Sequence, residues 1–149
     1  MFDGDGTVLG QVPHYLADEC LYENALKNPN RKTQVIEEMK NQSNVSLSYV
    51  QNRIKYLSGH TLEDVRTMGA DCFDRYYNDK IFLPMKSLIK LLKNNDFEVW
   101  IVTASPESMY QEFLSEAFSL PITNIIGVKS IIRNFNYCFI RFYSTKSII

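Results

Sequence analysis

The chain has 149 residues, of which 45% are hydrophobic and 22% charged, with a net charge of −1. That length suits one domain, or one domain carrying an insertion, and the near-neutral balance gives no electrostatic case for nucleic acid or an anionic membrane as a partner. No stretch approaches the roughly 20 apolar residues of a spanning helix, no secretory leader is visible, and the scattered Cys20, Cys72 and Cys138 fit reduced thiols of a cytoplasmic protein rather than a disulfide frame.

The first segment, Met1-Phe2-Asp3-Gly4-Asp5-Gly6-Thr7, reads as a strand end running into a turn. Side chains alternate faces along a strand, but the conformational freedom of Gly4 and Gly6 lets the chain curl and bring both carboxylates to one mouth. One carboxylate then suits attack on phosphorus and the other proton donation, with a divalent metal between them and the phosphate. A calcium loop does not fit, because its twelfth position must be a glutamate and, counted from Asp3, it falls on His14.

Residues 13–79 predict a run of helices without a convincing strand. The first spans about 13–27, with Pro13 in its opening turn. Asn28-Pro29-Asn30 breaks it, and a second follows over about 31–40. Ser46 caps a third, on which Leu47, Val50, Ile54 and Leu57 form the apolar stripe, and Ser58-Gly59 ends it. Thr61 with Asp64 opens a fourth, running to about Tyr77, by a variant of the capping box.

Residues 83–94 then give an amphipathic helix, with Met85, Leu88, Ile89, Leu91 and Leu92 apolar and Lys86, Lys90 and Lys93 opposite. The strongest strand is 97–103, whose end is apolar on both faces, as in a parallel strand covered by helices. A turn at Ala104-Ser105-Pro106 leads to a helix reaching about Phe118 and a short strand over 122–126, which makes a parallel crossover. The turn sets Thr103 and the backbone N–H groups of Ala104 and Ser105 at the carboxyl edge of the sheet, under the positive end of the next helix, a phosphate-binding arrangement. The tail from Arg133 is aromatic and free of carboxylates, and reads as a strand.

The pattern resembles the haloacid dehalogenase-like superfamily, in its phosphoserine-phosphatase-like branch. Phe2-Asp3-Gly4-Asp5-Gly6-Thr7 matches the first motif, Ile101-Val102-Thr103-Ala104-Ser105 the second, and residues 57–65 a segment of the helical cap. The resemblance implies an α/β fold, a partial Rossmann-like parallel sheet core formed by residues 1–12 and 80–149, with an α-helical cap inserted at 13–79. It implies a phosphomonoester hydrolase acting through an aspartyl-phosphate on a small phosphorylated substrate. Asp3 is then the nucleophile, Asp5 the general acid and base, and Mg²⁺ the cofactor, bound by the Asp3 carboxylate and the Asp5 carbonyl. Thr103 hydrogen-bonds the phosphoryl group, and Lys129 is the nearest counterpart of the family's phosphate lysine.

The family's later acidic pair has no counterpart, because no aspartate follows Asp96 and no glutamate follows Glu116. The expectation is a fragment, helical cap plus about half a core, with impaired turnover. The alternative is an inactive fragment or a non-catalytic binder of phosphate or a partner.

Overall fold

The computed structural model describes residues 1–134 and 136–138. A short strand β1 (Phe2–Asp3) opens the chain. Four helices follow: α1 (Leu16–Lys27), α2 (Thr33–Lys40), α3 (Leu47–Leu57) and α4 (Leu62–Tyr76). A 3₁₀ turn at Asn78–Lys80 leads into α5 (Leu83–Lys93), then β2 (Ile101–Pro106), α6 (Glu107–Phe118) and β3 (Ile125–Val128). A hairpin of β4 (Ile131–Arg133) and β5 (Asn136–Cys138) closes the described chain.

The sheet has the order β1-β2-β3, with both pairings parallel. The strand-helix-strand crossover expected around residue 110 is therefore present, as is the α/β class. The register sets Asp3 opposite Val102, so the end of β1 lies one residue short of Thr103 on its neighbour. α6 packs on β2 and β3, α4 lies along α6, and α1 packs on α4.

The helical excursion leaves and returns through one clasp. Gly10 N–H donates to the Lys80 carbonyl at 2.8 Å, and Phe82 N–H donates to the Val8 carbonyl at 3.1 Å. Leu9 faces Ile81 in an antiparallel bridge, and Val8 and Leu9 are fully buried. Residues 8–10 are thus pinned into the core rather than looping free.

Element ends depart from the sequence reading in several places. α1 begins at Leu16 rather than Pro13, because Tyr15 holds the extended backbone of the N-cap. α2 begins at Thr33, after Lys32 takes a left-handed conformation. β2 runs from Ile101 through the expected turn to Pro106, with a register irregularity after Val102. The strand expected over 122–126 starts as a 3₁₀ turn, Ile122–Asn124, and becomes extended only at Ile125.

Other expectations hold in detail. Ser46 Oγ accepts the Tyr49 N–H to cap α3, and Thr61 and Asp64 form a reciprocal capping box on α4. The tail strand is seen in β5, while Phe135 and residues 139–149 lie outside the described residues. Among the described residues no helix is long and apolar enough to cross a membrane.

Candidate active site

Gly6 and Gly4 shape the first turn for different reasons. Gly6 sits at φ +81°, where a side chain would be strained and its Cβ would lie 2.8 Å from the Gln11 amide oxygen. Gly4 has an ordinary φ, so the expected left-handed curl is not its role; what it supplies is a close approach, since a Cβ there would sit 3.0 Å from Thr103 Cβ. Gly4 N–H donates to the Val102 carbonyl at 3.0 Å, and the turn then lifts Asp5 over the end of β2.

Asp5 is the centre of a hydroxyl cluster. Its Oδ2 accepts hydrogen bonds from Thr103 Oγ1 at 3.1 Å and Ser105 Oγ at 3.0 Å. Its Oδ1 accepts from the Tyr110 hydroxyl at 2.7 Å. Thr103 Oγ1 in turn receives the Ser105 N–H at 3.0 Å, which stiffens the turn before α6. Burial lifts the Asp5 carboxyl above the ordinary carboxylate range, and the bonds from Tyr110, Ser105 and Thr103 and the charge of Arg53 pull it partly back.

Asp3 ends β1 as an exposed residue, and its carboxylate has no ion pair or side-chain hydrogen bond among the described residues. Ala104 is exposed at the turn. Lys129 is exposed just past β3, at the same sheet edge, and makes no ion pair or hydrogen bond to Asp3 or Asp5. Of the six residues read from sequence, Asp5, Thr103 and Ser105 thus touch one another directly. Asp3 and Lys129 make no side-chain hydrogen bond to them among the described residues, and Ala104 joins Thr103 to Ser105 along the chain.

Two further elements hold this edge in place. Glu107, the first residue of α6, accepts the Gly127 N–H at 3.1 Å and ties β3 to the turn. Gly127 permits that approach, because a Cβ would fall 2.6 Å from the Ser105 carbonyl.

Three residues near the site escaped the sequence reading. Arg53 and Asp18 form a pair only 2% exposed on each side, with Nε and Nη2 of one guanidinium edge donating to the two carboxylate oxygens at 2.7 Å and 2.8 Å. The guanidinium lies over the rings of Tyr49 and Tyr15, and its Nη1 reaches the Ala104 carbonyl at 3.5 Å. α3 therefore touches the turn that follows Thr103. Tyr49, Arg53 and Tyr56 fall on one helical face, a signal masked because apolar periodicity counts an arginine as surface. Tyr110 is the third, and nothing in its local sequence sets it apart from the other apolar and aromatic residues of α6.

A cavity of about 900 Å³ adjoins this cluster. It is walled by Tyr15, Asp18, Tyr22, Met39 and Tyr49, and bounded by Gln11 beside the Gly6 turn.

Among the described residues no three His, Cys, Asp or Glu side chains converge as a metal cluster. The donors present are hard oxygens, the free Asp3 carboxylate and the Asp5 main-chain carbonyl. Mg²⁺ is usually held by one or two carboxylates with water and substrate phosphate completing the shell. The residues fit the ion in that shared form.

A parallel sheet with carboxylates and hydroxyls gathered at its carboxyl edge defines an α/β protein with its site where such sheets bind ligands. The chain belongs to the haloacid dehalogenase-like hydrolase family, whose profile it matches over residues 1–144. No curated protein sequence matches it.

Among solved structures it is similar to a phosphoserine phosphohydrolase-like protein from Francisella tularensis subsp. tularensis SCHU S4, at 22% identity and a TM-score of 0.59, over 92% of this chain and 61% of that one. It is also similar to a Bordetella pertussis Tohama I protein of unknown function, at 12% identity and a TM-score of 0.66, over 91% and 62% of the two chains. A phosphoserine phosphatase structure holding a phospho-aspartyl intermediate analogue matches at 17% identity and a TM-score of 0.50, over 91% and 58%. At these identities the likeness is one of fold, and the chain spans about three fifths of the length of these structures.

Proposed function

We propose that the chain carries the site of a phosphomonoesterase that works through an aspartyl-phosphate on a small phosphorylated metabolite. The observation that carries this reading is the bonding of Asp5 to Thr103 and Ser105, which joins the two family motifs at one sheet edge next to Asp3. The phospho-aspartyl analogue in the phosphoserine phosphatase neighbour adds support.

In this reading an Asp3 oxygen forms a bond to phosphorus while the phosphorus–alkoxide bond breaks. Protonated Asp5 gives its proton to the departing oxygen, and burial raises its carboxyl pKa, the direction a proton donor needs. Asp5 then takes a proton from the water that attacks phosphorus, the Asp3–phosphorus bond breaks, and inorganic phosphate leaves. Thr103 and Ser105 turn their hydroxyls, now on Asp5, toward the phosphoryl oxygens, where donors stabilise the spreading charge. Mg²⁺, held by Asp3 and the Asp5 carbonyl, would neutralise the approach of a carboxylate to an anionic phosphate. Lys129 is the phosphate cation in this scheme only if substrate draws it inward from its exposed position.

The clasp at Val8–Gly10 and Lys80–Phe82 supports reading residues 13–79 as a helical cap inserted into a core of 1–12 and 80–149. The alcohol part of the ester then lies toward the cavity beside Gln11. The free, buried Cys20 and Cys72 suit the reducing cytoplasm.

Turnover by this chain is expected to be low, since no acidic pair follows Thr103 in the sequence. The test is hydrolysis of p-nitrophenyl phosphate with Mg²⁺. Slow release that disappears in Asp3→Asn supports the reading; release unchanged by that substitution overturns it. A rise in melting temperature with phosphate but no turnover would favour the non-catalytic binder.

A further inference from the structure

Tyr110 is fully buried, yet its hydroxyl makes two polar contacts that join three parts of the chain. It donates to Asp5 Oδ1 at 2.7 Å and receives the Ala17 N–H, from the first turn of α1, at 3.2 Å. Its ring is wedged against Phe113 at 5.3 Å between centroids, and Phe113 stacks on Phe73 of α4 at 4.5 Å. A phenol so packed has no freedom to turn its oxygen elsewhere. The hydroxyls of Thr103 and Ser105, in contrast, swing about a single bond. If those two leave Asp5 for a phosphoryl group, Tyr110 is the one hydroxyl of the three that stays.

We propose that Tyr110 is the positioning residue for Asp5: its hydroxyl fixes Oδ1, leaves Oδ2 facing the Thr103 and Ser105 hydroxyls, and ties that orientation to the seating of α1 through Ala17. The inference rests on the reading of Asp5 as the proton-transfer group. It gives the helical segment a route to the chemistry, because α1 cannot lift from α6 without releasing the Tyr110 oxygen.

The experiment compares the wild type and Tyr110→Phe on two esters with Mg²⁺. Phenyl phosphate needs a proton on its leaving oxygen, while 2,4-dinitrophenyl phosphate does not. A misplaced general acid should lower kcat/KM for phenyl phosphate by about 10- to 100-fold and leave the dinitrophenyl ester within about 3-fold. Equal losses on both esters would mean a structural role only and would overturn the proposal.

Crystal structures of both proteins read Asp5 without any turnover. A rotated Asp5 carboxylate in the variant supports the proposal, and an unmoved one overturns it. Absence of wild-type turnover together with a rotated Asp5 would remove the phosphatase reading while leaving the positioning intact. If Tyr110→Phe does not fold, Tyr110→4-aminophenylalanine keeps a weaker donor at the same place. An intermediate loss confined to phenyl phosphate supports the proposal, and equal losses again overturn it.

Discussion

Asp18 and Arg53 put a full ion pair where water is excluded, between the inserted helices and the turn after Thr103. Such a pair is weak evidence of net stability, because desolvation offsets the attraction, but removing one partner strands the other. Asp18→Asn should therefore cost about 3–5 kcal/mol in urea unfolding. A replacement of both residues by apolar ones of similar volume should cost far less. A loss below about 1 kcal/mol in Asp18→Asn would place the pair among ordinary exposed salt bridges. At this scale Asp3, Asp5 and Thr103 stood out as candidates, since a short motif and a strand end are local patterns. Asp18, Arg53 and Tyr110 did not, since their roles come from contacts 35 and 105 residues apart in sequence, Arg53 with Asp18 and Tyr110 with Asp5.

Between elements, α4 approaches α6 closely at Gly69. A Cβ on Gly69 would stand 2.0 Å from the Met109 carbonyl oxygen, and backbone cannot yield as a side chain would. Gly69→Ala should destabilise the fold by about 1–3 kcal/mol or more, as overpacking does, and the thermal midpoint should fall accordingly. An unchanged midpoint would mean that the two helices separate easily. The sequence placed the six α-helices of the described residues, though not their exact ends, because amphipathic spacing and the caps at Ser46 and Thr61 act within a few residues. It did not show that α5 buries only Ile89 fully while Leu83, Leu88 and Leu91 stay exposed, because the pattern records which face is apolar and not what lies against it.

For the whole molecule, acid sensitivity follows from His60, which closes the α3–α4 connection. Its Nδ1 lies 2.9 Å from Arg31 Nη2, which can only donate to it when the ring is neutral, and 3.1 Å from the Leu57 carbonyl, which also accepts the His60 backbone N–H at 3.0 Å. Burial first, then the charge of Arg31, hold the His60 pKa below its ordinary value of 6.5, with a lesser push from Lys32 and against the opposing pull of the Leu57 carbonyl on the ring and of Asp64. As pH falls below about 6.5, the unfolded chain takes up a proton that the folded chain refuses, so stability falls with acidification until the folded pKa is reached. Denaturant unfolding between pH 8 and 5 should show this slope, and His60→Gln should flatten it. A variant with the wild-type slope would assign the acid sensitivity to other groups.

By itself the sequence determined the family, the α/β class and the order of elements, and it singled out the acids and hydroxyl on which the proposed chemistry rests. Those features are written in neighbouring residues, as side-chain period, capping and motif spacing. Only the tertiary structure decided that Thr103 and Ser105 point at Asp5, that Lys129 stands apart, and that Tyr110 and the Asp18–Arg53 pair brace the site. A hydroxyl or a guanidinium has no preferred partner until folding brings one within about 3 Å and removes the competing water.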